Sequence, residues 1–214
     1  VSMIIIGFLM LLTQAVSQAI KYAAIVFGTI TEEEAEDLNS LIREILEFSR
    51  LENTCYNNTG AVIDLENLIT PQVERYKVDL KPQQTLTLIS DVCDTNVYCD
   101  ELLVVRCMNN VIANAIKYSG EQAEIVVSLA NHVNDGQHYV VLSVSDDGPG
   151  IPEHNLRDIF DPFTRLDQSR NKKSGGYGLG MAIVKESMRI MGGQVLARNR
   201  SKGGLCISLL FKQK

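Results

Sequence analysis

Three polar side chains near the middle of the chain recur at helical spacing. Asn110 and Asn114 are four residues apart, and Lys117 follows one turn later in the segment NVIANAIKY. Residues at this spacing share one face of a helix, so that face offers amide oxygens to a hard cation and an amine to phosphates. Magnesium prefers oxygen ligands and takes only one or two from protein when phosphates and water supply the rest. The segment therefore suits a magnesium–phosphate ligand, and a solvated polar helix face is the alternative.

A second polar group stands where an apolar segment gives way to glycine and proline. Asp146 follows YVVLSVS and opens the segment DDGPG at residues 146–150. Its carboxylate is a hydrogen-bond acceptor, and Gly148 and Gly150 lack the side chains that would keep a flat ring away from the backbone. This pattern indicates a pocket for a base, and a plain tight turn is the alternative.

The segment GYGLG at residues 176–180 precedes the apolar run MAIV. Exposed amides at the start of a helix, together with the helix dipole, form an anion site. Two other phosphate motifs are excluded: no G-x-x-x-x-G-K-[ST] occurs, and no βαβ unit with a preceding strand surrounds the glycines.

These motifs lie in a pattern of short strands and longer helices. Thr31 and Glu34 fit a capping box, and an apolar stripe at 38, 41, 42, 45, 48 and 51 follows at helical steps suited to pairing with another helix. The residues at 53–60 are polar and predict a linker. Further helices are predicted at 65–75, with Pro71 as a kink or a new first turn, at 100–118 with Asp100 as the cap, at 153–159 and at 179–191. Strands are predicted at 85–89, 124–129, 139–145, 194–198 and 205–211.

Composition narrows the class of protein. The 214 residues are 45% hydrophobic and 21% charged, which is ordinary for a globular chain, and the net charge of −6 argues against a nucleic-acid binder. The five cysteines have no zinc spacing, so reduced and mostly buried thiols are expected. The apolar stretch at 3–12 is too short to span a bilayer; a bundle helix is favoured over a truncated transmembrane helix or a signal-like segment.

A fourth motif, FDPFTR at 160–165, lies between the two glycine segments. The asparagine segment, DDGPG, FDPFTR and GYGLG follow one another along the chain and resemble the N box, first glycine box, F box and second glycine box of sensor histidine kinases. The resemblance covers residues 38–211. It implies an α+β fold, a two-layer sandwich with a mixed sheet of the Bergerat type, preceded by the remnant of a helical hairpin. The corresponding domains are a partial dimerisation stem at 1–52, a linker at 53–60 and an ATP-binding catalytic domain at 61–214.

The resemblance also assigns roles to individual residues. Asn114 is the implied magnesium ligand, Asn110 and Lys117 lie near the phosphates, Asp146 accepts from the adenine amino group, and Arg165 approaches the γ-phosphate. Asn110, Lys117 and Arg165 are the implied catalytic residues. The remaining implied nucleotide contacts are Tyr118, Gly148, Gly150, Ile151, Phe160, Gly176, Tyr177, Gly178, Leu179 and Gly180.

The polar segment LDQSRNKKSG at 166–175 resembles the ATP lid. Phe160 and Phe163 are expected to pack its hinge rather than to touch substrate. The basic residues at 170, 172 and 173 either reach the phosphates or only keep the lid solvated. Closure of such a lid would exclude water from the phosphates.

One position distinguishes histidine kinases from the related ATPases of the gyrase, Hsp90 and MutL type, which share the Asn and glycine boxes. These ATPases carry a Glu four residues before the magnesium Asn to activate water, and here that residue is Asn110, which cannot act as a general base. Phosphoryl transfer needs positioning and charge stabilisation rather than a base for water, so the resemblance implies a protein-histidine kinase. A nucleotide-binding or ATPase module without kinase activity is the alternative.

The implied acceptor histidine is missing from the chain. No H box occurs, and the only histidines are His132, His138 and His154, where a surface role is expected. Two alternatives are open: the chain begins after or without an intact H box, or the protein phosphorylates a partner. The resemblance further implies ATP and Mg²⁺ as cofactors, a response-regulator receiver domain and a stem-mediated homodimer as partners, and a cytoplasmic catalytic domain in a bacterial inner-membrane protein.

Overall fold

A computed structural model describes residues 31–52, 54, 60–92, 94–165 and 176–213, together with residues 19 and 28. The chain forms two compact units, Val1–Leu46 with Asn171–Gly176, and Glu47–Arg170 with Tyr177–Lys214. The apolar stretch at 3–12, the segment 166–175 and most of the predicted linker lie outside the described residues. In the part of the chain that the structure describes, no helix has the length and apolar character to cross a bilayer.

The first helix, α1 (Glu32–Glu52), begins at the predicted capping box. The Thr31 amide donates to Glu34 Oε2 at 2.9 Å, and the Glu34 amide donates to Thr31 Oγ1 at 3.2 Å. Leu38 and Ile45 of the apolar stripe are each 39% exposed, whereas Leu51 at the carboxyl end is buried. The stripe is therefore covered at its carboxyl end.

A mixed sheet of five strands forms the centre of the second unit. Its strands are β2 (Thr85–Ser90), β4 (Glu124–Asn134), β5 (Gln137–Ser145), β6 (Gln194–Asn199) and β7 (Leu205–Lys212). They lie in the order β2-β4-β5-β7-β6, with β2 parallel to β4 and every other pair antiparallel. All five predicted strands are confirmed. The hairpin of β4 and β5 is longer than predicted because Asp135 and Gly136 both take positive φ, the conformation of a tight two-residue turn.

Three helices cover the sheet: α2 (Leu65–Tyr76), α3 (Glu101–Tyr118) and α4 (Gly180–Ile190). Their apolar faces share one core with alternate residues of the central strands, including Ile69, Ile112 and Met188 from the helices and Leu142 and Leu209 from the sheet. The predicted α+β fold, with helices against a mixed sheet, is confirmed.

Local structure differs from the predictions at two places, a short pair of strands and the segment 153–159. A short antiparallel pair, β1 (Ala61–Asp64) and β3 (Asn96–Cys99), was not predicted, because each strand has only four residues and its partner is remote in sequence. The helix predicted at 65–75 is confirmed as α2, with Pro71 inside it, because its buried face holds the helix against the core. The helix predicted at 153–159 is instead two 3₁₀ turns, Glu153–Asn155 and Asp158–Phe160, because so short a segment does not sustain α-helical bonding.

The described cysteines are buried thiols, as expected. Cys99, Cys107 and Cys206 are free and buried. Burial raises the pKa of Cys99 and of Cys107 to about 12, so both remain protonated near neutral pH.

Candidate nucleotide-binding site

Helix α3 carries the asparagine face that the sequence predicted. Asp100 caps it, with Oδ1 accepting from the amides of Leu102 at 2.9 Å and Leu103 at 3.2 Å. Along this helix Val104, Met108 and Ile112 face the core, which leaves Asn110 and Asn114 half-buried at its border. The helix thus presents two amide side chains at the edge of the protein interior.

Asn110 lies directly against the start of α4. Its Nδ2 donates to the Arg106 carbonyl at 3.0 Å, and its Oδ1 lies 2.8 Å from the position that a Cβ on Gly180 would take. A side chain at residue 180 would therefore collide with the amide. This contact brings the N box and the second glycine box together.

The start of α4 has the character of an anion site. The helix begins at Gly180, and Leu179 at the cap position makes no side-chain hydrogen bond to the first amides. Since the first amides of a helix have no intrahelical acceptor, they are available to an external acceptor and reinforced by the helix dipole. Leu179 itself is fully buried, so this turn is anchored in the protein interior.

Asp146 occupies a buried position at the end of β5. Its Oδ1 accepts from the amides of Gly148 at 2.9 Å and Leu205 at 3.3 Å, and the residue is 9% exposed. Burial raises the pKa of the Asp146 carboxyl above its ordinary value, and this effect is opposed by the two amides and by the charge of Arg200. The carboxylate is therefore held in a fixed orientation in a partly dehydrated site.

Gly148 brings the first glycine box against the end of α3. A Cβ on Gly148 would lie 2.7 Å from Ser119 Cα and 2.9 Å from Asp146 Oδ1. Any larger residue would push the loop away from the helix. Two of the predicted motifs, the N-box helix and the loop of Asp146, are thus in direct contact.

The F box is attached to the second glycine box. The Phe163 amide donates to the Gly178 carbonyl at 2.9 Å, and Gly178 has a φ of +77°. A Cβ on Gly178 would lie 2.8 Å from the Phe163 carbonyl carbon. Glycine is therefore required at residue 178 both by its left-handed backbone and by its close packing.

The remaining predicted site residues differ in their environments. Phe160 is 7% exposed and belongs to the hydrophobic core, whereas Phe163 is exposed. Lys117 Nζ lies 4.9 Å from the centroid of the Tyr118 ring, at the carboxyl end of α3. Arg165 is exposed. Phe160 thus packs in the core and Phe163 does not. The expected packing of both at the lid hinge, and the assignment of Phe160 to nucleotide contact, remain predictions.

Other predicted site residues are placed by the backbone of the glycine segments. Ile151 exchanges two hydrogen bonds with the Asn199 amide group, its N–H donating at 3.0 Å and its carbonyl accepting at 2.6 Å. Gly150, just before it, has a φ of +67°, and Gly176 also has positive φ. Tyr177 is half-buried.

The three histidines are exposed on the protein surface. His132 and His138 are exposed residues of the β4–β5 hairpin, and His154 is exposed in the first 3₁₀ turn. Their expected surface location is confirmed.

A model of histidine kinase-, DNA gyrase B- and HSP90-like ATPases matches residues 99–214, which include all four motifs. The chain belongs to this family. Its resemblance to the sensor histidine kinases is likewise confirmed.

Two relatives that are similar to this chain are sensor kinases. Sensor histidine kinase WalK of Bacillus subtilis (strain 168) is 29% identical over 190 residues, covering 88% of this chain and 30% of WalK. Adaptive-response sensory kinase SasA of Crocosphaera subtropica is 35% identical over 171 residues, covering 79% of this chain and 43% of SasA. The chain therefore spans less than half the length of these two relatives.

Two solved structures share the fold of this family member. Full-length ShkA in complex with AMPPNP gives a TM-score of 0.71 at 24% identity, over 84% of this chain and 36% of ShkA. The histidine kinase AdeS of Acinetobacter baumannii gives a TM-score of 0.65 at 21% identity, over 92% of this chain and 93% of the AdeS chain.

The sequence did not reveal which residues hold the loop that begins at Asp146 in the candidate nucleotide-binding site. Arg200 Nη1 donates to the Asp146 carbonyl at 2.7 Å, and the Asp146 amide donates to the Leu205 carbonyl at 2.9 Å. A Cβ on Gly204 would overlap the Asp146 carbonyl. The sequence predicted only the strands on either side of residues 199–204, and nothing local in it indicates packing against a loop more than fifty residues earlier.

Proposed function

We propose that this chain is the ATP-binding catalytic domain of a sensor histidine kinase, which transfers the ATP γ-phosphoryl group to a histidine on a dimerisation stem. The observation that carries the proposal is the contact of Asn110 with Gly180, because it joins the polar face of α3 to the anion site of α4. The residue at this contact is an amide, where a related ATPase needs a carboxylate to activate water. The names of the relatives WalK and SasA support the same activity.

The base pocket fits adenine. Asp146 Oδ1 is occupied by two backbone amides, which fix the carboxylate so that its remaining acceptor capacity can face the amino group of a purine. Gly148 allows the loop of Asp146 to pack closely against the end of α3, which keeps the carboxylate in place. ATP or ADP is therefore the proposed ligand.

The phosphates would lie between α3 and the start of α4. The amides of Gly180 and the following residues would donate hydrogen bonds to phosphate oxygens, and Lys117 and Arg165 would neutralise the phosphate charge. Asn114 would supply an amide oxygen to Mg²⁺, which fits this donor set because the cation takes most of its oxygens from phosphate and water. When bound, Mg²⁺ neutralises charge that develops on the phosphates during transfer.

Transfer is favoured over hydrolysis because Asn110 has no basic group with which to activate water. The alternative, a nucleotide-binding or ATPase module without kinase activity, requires a general base from another residue. The wider assignments remain part of the proposal: stem and catalytic domains bounded at 52 and 61, a homodimer formed through the stem, a receiver domain as the next phosphoryl acceptor, and a cytoplasmic catalytic domain in an inner-membrane protein.

Calorimetric titration of the chain with ATP and Mg²⁺, and of Asn114→Ala, tests the nucleotide site. The parent should bind ATP with an affinity that rises with Mg²⁺, and Asn114→Ala should lose most of this dependence because one oxygen ligand to the metal is removed. Lys77→Ala, which removes an exposed cation of an i,i+3 ion pair on α2, is the control. An unchanged Mg²⁺ dependence in Asn114→Ala would contradict the assignment of the metal ligand.

A further inference from the structure

The carboxyl end of α1 is packed against the helix that begins the anion site. Leu51 is 6% exposed and forms an apolar cluster with Leu179, Ile183 and Ile190, with Phe48 partly buried beside it. Leu179 immediately precedes Gly180. The last turn of α1 thus supports the residue from which α4 and its free amides start.

Arg189 of α4 binds the carbonyl groups at this end of α1. Its Nη2 donates to the carbonyls of Leu51 at 3.2 Å and Thr54 at 3.1 Å, while its Nε pairs with Glu186 Oε2 at 2.5 Å. The last carbonyls of a helix have no intrahelical donor, and the helix dipole favours a cation there. Arg189 therefore acts as a carboxyl-terminal cap supplied by a different helix, and Glu186 orients its guanidinium group.

A second arginine connects α1 to the asparagine face. The Arg106 guanidinium pairs with the Glu47 carboxylate of α1. The carbonyl of the same Arg106 accepts from Asn110 Nδ2 at 3.0 Å. The turn of α3 that orients Asn110 is thus also the turn that holds α1.

We propose that Arg189 and Arg106 are positioning residues that clamp the carboxyl end of α1 onto the nucleotide-binding helices, so that nucleotide affinity depends on the docking of α1. The inference rests on the proposed function for the identity of the ligand. Docking orders Leu179 at the anion site and the α3 turn below Asn110, and release of α1 loosens both. By reciprocity, bound nucleotide stabilises the docked end of α1 by the same factor.

The test combines hydrogen exchange with nucleotide titration on the whole chain. Amides at 48–54 should exchange about two- to fivefold faster in Arg189→Ala, because a half-exposed cation at a helix carboxyl terminus has an effect of that size. Affinity for ATP with Mg²⁺ should fall by about twofold or more in Arg189→Ala and by at least about fivefold in Leu51→Ala. Glu47→Gln, a conservative change at a partly exposed position, should act in the same direction, whereas Lys77→Ala should change neither quantity.

The outcomes separate the clamp from the proposed function. Faster exchange at 48–54 together with weaker nucleotide binding, and slower exchange there when nucleotide is added to the parent, supports the proposal. Exchange that is unchanged in both Arg189→Ala and Glu47→Gln overturns the clamp, and faster exchange with unchanged affinity overturns its coupling to the nucleotide. A parent chain that fails to bind ATP contradicts the proposed function, and the exchange of the free chain then still decides whether the clamp exists.

Discussion

Asn110 Oδ1 lies 2.8 Å from the point that a Cβ on Gly180 would occupy, so the asparagine helix and the second glycine box are fitted to each other at a single residue. Substitution of Gly180 by alanine should therefore turn the Asn110 amide away from its present position. The backbone at residue 180 does not have positive φ, so alanine is compatible with the helix and the fold should be retained.

We expect Gly180→Ala to weaken ATP binding by about tenfold, the loss of roughly one hydrogen bond to a charged group, with a change in unfolding free energy below about 1 kcal/mol. Titration calorimetry and denaturant unfolding on the same preparation measure the two quantities. Wild-type affinity in a folded Gly180→Ala variant would show that Asn110 is not oriented by this contact.

Asp146 is expected to read the base. Asp146→Ala should abolish the preference for adenine over guanine nucleotides, because the carboxylate is the acceptor placed to meet an exocyclic amino group. The lost hydrogen bond to a charged group corresponds to about 1.5–3 kcal/mol, or roughly ten- to hundredfold in affinity. Competition between ATP and GTP measures the preference, and a variant that discriminates as the parent does would place recognition of adenine elsewhere.

The buried carboxyl group also predicts a pH dependence. The folded pKa of Asp146 is raised by burial, so the protonated form is favoured in the folded chain and its contribution to stability is lost as pH rises through the raised pKa. Asp146→Asn keeps an acceptor for the amides of Gly148 and Leu205 without a charge. It should therefore be more stable than the parent at neutral pH, with a difference that narrows as pH falls.

Protonation of the Asp146 carboxyl group should stabilise the fold but weaken nucleotide binding. ATP affinity of the parent should fall as pH decreases through the raised pKa, because protonation removes acceptor capacity from the carboxylate, and Asp146→Asn should lack this step. Urea unfolding and nucleotide titration between about pH 4 and pH 8 check both signs. Parallel pH profiles of parent and variant would contradict the assignment.

The sequence was most informative where a structural rule is local. The caps at Thr31 and Asp100 and the strand β5 each depend on neighbouring residues along the chain, and the structure has them where they were predicted. The order of the four motifs similarly identified the family. These features could be predicted because their physical causes lie within a few residues along the chain.

What the sequence did not reveal depends on contacts between remote segments. Leu205 holds the Asp146 loop through its backbone amide, which any residue type except proline could supply. Arg200 holds the loop through a side-chain hydrogen bond to a backbone carbonyl, which no sequence pattern around Asp146 indicates. From the sequence, Arg189 is an ordinary surface charge of α4, and only the structure shows that it donates to a carbonyl at the end of α1. The pairing of β1 with β3 was missed for the same reason, since a four-residue strand is specified by its partner.

Incubation of the chain with γ-labelled ATP and Mg²⁺, alone and with a separate stem that carries an acceptor histidine, tests the central claim most directly. Asn110 supplies no base, and none of the three histidines lies on α1. The chain alone should therefore bind ATP without acid-labile labelling and with slow phosphate release, whereas the added stem should become labelled on its histidine. Labelling of the chain itself at His132, His138 or His154, or fast phosphate release without an acceptor, would contradict the account.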